Sequence, residues 1–145
     1  MDTTLLRLEH VRIAAMAADL AAMVNQPILA DPARLCAFRQ EFGRILAAHL
    51  AREDWSVYPC LLTDKRPQVR ARAVQLAGDA RVFTLAFGRY CRDWTTESIA
   101  ADWTGFREAT LILIAQLLSR VEVEDRDLYP LVAVAEPTDA RSALS

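Results

Sequence analysis

The chain is 145 residues long, carries a formal net charge of −2, and is 53% hydrophobic with only four glycines. That length fits one domain with a real core, the Ala- and Leu-rich apolar set favours helix over strand, and charges of both signs interspersed along the chain leave no basic stripe for nucleic acid. No apolar run is long enough to span a bilayer, and Cys36, Cys60 and Cys91 lack CxxC spacing, which excludes a disulfide framework or thiolate zinc site and fits a cytoplasmic protein.

The first apolar stripe is Leu6, His10, Ile13, Ala17, Leu20 and Val24, stepping by three and four. It predicts a helix starting after Asp2 to Thr4 and stopped by Asn25-Gln26-Pro27. Asp31-Pro32 then supplies an N-cap and a proline at the first helical position, and the stripe Leu35, Phe38, Phe42, Ile45, His49 and Glu53 carries a second helix to Tyr58-Pro59. After Pro67 the stripe Val69, Ala73, Leu76, Ala80, Phe83, Phe87, Tyr90 and Trp94 predicts a third helix to about Thr95. A short segment around Glu97 to Ala101 precedes the fourth, traced by Phe106, Thr110, Leu113, Leu117, Arg120, Glu124 and Leu131. The composition after Pro137 predicts a tail over 137–145, leaving a domain over 1–136. Long helices joined by short connections pack against their neighbours, so the expected fold is all-α: an antiparallel up-down four-helix bundle.

The polar members of these inward stripes stand out. They are His10 on the first helix, His49 and Glu53 on the second, and Arg120 and Glu124 on the fourth, while the third offers none. An internal repeat underlies them: His49 through Pro59 aligns without gaps on Arg120 through Pro130, matching Glu-Asp and Tyr-Pro in both copies. Arg120 thus occupies the position that a histidine holds in the first copy. A His and a Glu four positions apart share a helix face, so His49 and Glu53 can hold one cation, with His10 and Glu124 joining from neighbouring helices. Imidazole and carboxylate together suit iron, zinc or manganese.

The segments Leu8-Glu9-His10-Val11-Arg12-Ile13, His49 through Pro59 and Arg120 through Pro130 resemble the hemerythrin-like (HHE cation-binding) family, over nearly the whole chain to about Val134. The resemblance implies a helical bundle that holds a bridged pair of irons and binds dioxygen or senses oxygen, nitric oxide or iron. One family metal takes a histidine from each of the first two helices and two bridging carboxylates, which implies His10, His49, Glu53, and Glu124 or its neighbour Asp125. The internal repeat favours Glu124 by its four-residue offset, whereas the family's oxygen carriers use a five-residue offset. The other metal's histidines have no counterpart: the chain has only two histidines, the third helix presents Phe83 and Phe87, and Arg120 replaces the histidine of the fourth.

A guanidinium cannot ligate metal, but it can bridge the carboxylates that would have shared the second cation. The expectation is therefore a hemerythrin-like cytoplasmic domain, not an enzyme, that holds one divalent metal, iron first, or retains only a vestige of the site. Its role would be sensory or regulatory rather than oxygen carriage, with a signalling protein or a second copy as partner. The alternative is a metal-free interaction or dimerisation module in which Arg120 replaces the metal. The Tyr-Pro pairs are read as structural, the Phe83-Phe87-Tyr90-Trp94 stripe as core, and Cys91 as lying outside the ligand set.

Overall fold

The computed structural model describes residues 1–135; the tail expected over 137–145 lies outside the described residues. Those residues are helical with no strand. In chain order they form α1 (Thr4–Val24), α2 (Pro32–Arg52), a first π turn (Glu53–Val57), α3 (Tyr58–Leu62), α4 (Pro67–Asp93), α5 (Thr96–Ala101), α6 (Trp103–Val123), a second π turn (Glu124–Leu128) and α7 (Tyr129–Ala135). The π turns join α2 to α3 and α6 to α7 without a break, which leaves five continuous helical stretches among the described residues, four long and one short.

Local chemistry sets several of the starts. Asp31 accepts from the Arg34 backbone N–H at 3.0 Å with Pro32 following, and Asp102 accepts from the Gly105 N–H at 2.9 Å. Thr95 and Ser98 form a reciprocal capping box at α5. The second helix does not stop at Tyr58-Pro59 as the sequence predicts; it runs on to Leu62. A proline has no N–H to donate and crowds the carbonyl four residues before it. The chain absorbs both problems by widening one turn just ahead of each proline: the Tyr58 N–H donates to Glu53 O, and the Tyr129 N–H donates to Glu124 O before Pro130. The extra residue in the turn shifts the register, so that the consecutive pairs Val57-Tyr58 and Leu128-Tyr129 are both buried.

α1 packs against α2 and α6, while α4 packs against α3 and α6. The apolar core falls into two clusters, one around Ile13, Leu46, Phe83, Phe106 and Leu117, the other around Leu6, Val57, Leu76, Leu128 and Tyr129. Each long stretch passes from one cluster to the other through a common level. On α1 that level is His10, between Leu6 and Ile13; on the α2–α3 stretch it is His49 and Glu53, between Leu46 and Val57; on the α6–α7 stretch it is Glu124, between Leu117 and Leu128. α4 crosses it between Leu76 and Phe83, with Ala80 alone of its stripe in between. No helix among the described residues is long and apolar enough to cross a membrane.

Candidate metal centre

A polar layer inside an apolar core is costly unless every group in it is partnered. His10, His49 and Glu53 are each 2% exposed and Glu124 4%. Their Nε2 and carboxylate atoms converge until one atom from each residue lies within 4.8 Å of all the others. The Nε2 atoms of His10 and His49 are 3.0 Å apart, Glu124 Oε1 is 3.0 Å from the former, and Glu53 Oε1 is 3.2 Å from the latter.

The outer nitrogens explain why Nε2 points inward. His10 Nδ1–H donates to Asp125 Oδ1 at 2.9 Å, a carboxylate that can only accept when ionised, so Nε2 is left to face the group. Glu9 lies behind His49 in the same way, with Oε1 3.5 Å from Nδ1 and Oε2 accepting from Arg52 at 3.1 Å. Asp125 is thus not brought into the group with Glu124. The second π turn points Glu124 into the core and leaves the Asp125 side chain 40% exposed on the far side of His10.

Four lone-pair atoms this close repel unless a cation lies among them, either protons or a metal ion. The titration follows from that crowding. Burial disfavours charge on His49, yet the hydrogen bonds to Glu124 and Glu53 outweigh it and push the imidazole up to about 10. His10 is raised in the same sense, burial being overcome by Glu124 and Asp125. Burial lifts the Glu53 carboxyl well above the usual range, whereas the histidine hydrogen bonds overcome burial at Glu124 and hold it ionised. Imidazoles whose hold on protons is strengthened by carboxylates mark a place where a metal would displace protons, and two nitrogen and two oxygen donors fit iron, zinc or manganese.

Arg120 reaches the edge of this layer with its side chain 13% exposed, and Nη2 donates to Glu124 Oε2 at 3.3 Å. The bridge expected across both carboxylates is divided: Glu53 Oε2 accepts instead from the Tyr129 hydroxyl at 3.2 Å, and that hydroxyl is also 3.0 Å from His10 Nε2. Reading Tyr129-Pro130 as structural alone therefore missed a group that touches the centre. Burial and the nearby Glu53 and Glu124 charges push the Tyr129 phenol upward, so it remains a proton donor. The Tyr-Pro match between the repeat copies was the available signal. Glu9 was missed because its role depends on α1 lying beside α2, which its neighbour His10 alone does not reveal.

α4 contributes Val69, Ala73, Leu76 and Phe83 to the interior, all apolar. Of its aromatic stripe, Phe83 is buried as expected, while Phe87, Tyr90 and Trp94 are half-buried. They pack on the core with one edge and line a cavity of about 450 Å³ with the other, where Cys36, Arg39 and Cys91 also lie, apart from the histidines.

The sequence model of the Hemerythrin HHE cation binding domain matches residues 1–132. No curated protein and no solved structure gives a match.

Proposed function

Because the chain belongs to the hemerythrin HHE cation-binding family, we propose that it is a metal-binding domain with a halved site, holding one divalent ion through His10, His49, Glu53 and Glu124. Iron is the first choice, with zinc or manganese as alternatives. The observation that carries this reading is the asymmetry of the polar layer: three helical stretches bring four buried donor atoms within 4.8 Å, while the interior face of α4 is wholly apolar. In this reading α1, α2–α3, α4 and α6–α7 are the four members of an antiparallel up-down bundle.

A resident iron would supply a redox-active centre with open positions for a small gas. The chain's own residues do the rest. Asp125 and Glu9 orient the two imidazoles, Arg120 balances the charge of Glu124, and the Tyr129 hydroxyl holds a proton beside His10 and Glu53. With one metal instead of two, the domain serves as a cytoplasmic sensor or regulator acting on a partner protein, rather than as an oxygen carrier or an enzyme.

Elemental analysis of protein purified without chelator tests this, with a His49→Ala control taken through the same preparation. The expected result is about one equivalent of iron, zinc or manganese that disappears in the control. Protein that emerges metal-free and takes up nothing on anaerobic incubation with ferrous iron would overturn it. The second reading, a metal-free interaction module with Arg120 as the resident cation, is favoured by one observation: every buried side-chain nitrogen and oxygen among the described residues already has a hydrogen-bond partner.

A further inference from the structure

Helix α1 has two apolar faces. Leu6, His10, Ile13, Ala17, Leu20 and Val24 are buried. Directly opposite, at about 100° per residue, runs a second stripe stepping by three and four: Leu8, Val11, Ala15, Ala18 and Ala22, all exposed, with Leu8 at 61% and Val11 at 69%. A surface helix normally turns polar residues to water on this side. One edge of the stripe is charged: Arg12 and Asp19 are both exposed and stand two turns apart on the same side of Ala15.

These positions complement themselves under a twofold axis. Laid antiparallel about a centre at Ala15, a second α1 sets Leu8 level with Ala22 and Ala15 against its own copy, and brings Val11 to Ala18, and Arg12 to Asp19, within one residue of level on a shared edge, so each bulky side chain meets a small one. The same operation sets Arg12 against the second copy's Asp19, and Asp19 against its Arg12, on the same edge. A parallel pairing would instead put the two charged edges on opposite sides of the seam and leave Arg12 and Asp19 without partners across it. Arg12 approaches Glu41 of its own α2 only at 3.8 Å, with its side chain 62% exposed, and is free to turn across the seam.

We propose that this face of α1 binds a second copy of the chain, through an antiparallel α1–α1 seam whose direction is set by the Arg12–Asp19 pairs. The seam is independent of the metal centre. A single helix pair buries less than the ~800 Å² per partner of a standard interface, so the dimer is reversible and concentration-dependent.

Sedimentation equilibrium on the full chain, from about 1 μM to about 1 mM, reads the association. Arg12→Asp places acid on acid and Asp19→Arg places base on base, so each variant alone should self-associate at least about tenfold more weakly than the native chain. Mixed together, they should recover native-like association, because each supplies the charge the other lacks. Both sites are exposed, and circular dichroism verifies that the variants are helical. A native chain that is monomeric across the range, or a mixture no better associated than the separate variants, overturns the proposal.

Discussion

The two copies of the internal repeat have the same backbone and different chemistry. In each, an α-helix widens into a π turn at a Glu-Asp pair and returns to α-helix at Tyr-Pro, with the tyrosine N–H donating to the carbonyl of the glutamate. Both glutamates are buried in the same polar layer. The copies diverge in what surrounds that glutamate. Four residues earlier, the first has His49 and the second Arg120; the first tyrosine sends its hydroxyl toward Leu76 O at 3.5 Å, and the second places it between His10 and Glu53. A backbone device can therefore outlast the ligand set around it: the π turn answers to Pro59 and Pro130, whereas the residue four positions before the glutamate decides whether the copy offers a donor atom or a fixed charge.

Removing the fixed charge is the most severe way to break this comparison. Glu124 is buried and ionised, and Arg120 stands beside it at 3.3 Å. Arg120→Ala should destabilise the metal-free protein by about 2–3 kcal/mol in urea denaturation, somewhat less than a fully orphaned buried charge because the histidines still bond Glu124. In metal-loaded protein the loss should shrink, since the ion then neutralises the same carboxylate. A loss that is equal in both forms would mean that Arg120 and the metal do not compete for Glu124.

The aspartates sharpen the same contrast. Asp125 holds His10 Nδ1 at 2.9 Å, while its counterpart Asp54 is exposed. Asp125→Ala frees the His10 ring and should weaken metal affinity about tenfold or more, in competition titrations against a coloured chelator. Asp54→Ala should leave that affinity unchanged. Equal effects from the two would show that Asp125 acts through general charge and not through the orientation of His10.

Most of the helices were legible because their inward stripes are regular. The six positions traced on α1 are the six buried there, and of the polar residues on the stripes His10, His49, Glu53 and Glu124 meet in the layer with Arg120 at its edge, while Thr110 bonds Tyr90 elsewhere. What the sequence hid depends on contacts or on backbone strain. A proline after Tyr58 reads as a helix end, because stopping and widening into a π turn relieve the same clash and look alike in sequence. Glu9 and Asp125 are both acidic neighbours of central residues, and which nitrogen they face is decided only when α1 is laid between α2 and α6. The aromatic stripe of α4 reads as uniform core, yet beyond Phe83 it is only half-buried, packing on the core with one edge and lining a cavity with the other.

The smallest expected difference separates the tyrosines. Tyr129 donates within the centre, 3.2 Å from Glu53 and 3.0 Å from His10, and Phe at that position leaves a buried carboxylate one partner short. Tyr129→Phe should cost about 1–2 kcal/mol in metal-free protein. Tyr58 is as well buried, but its hydroxyl reaches only a helix carbonyl at 3.5 Å, at the limit of a hydrogen bond, so Tyr58→Phe should cost under about 0.5 kcal/mol. The two substitutions remove the same atom from equivalent points on matching backbones. If their denaturation midpoints shift equally, the hydroxyl of Tyr129 contributes packing alone, and the chemical difference between the two copies reduces to His49 against Arg120.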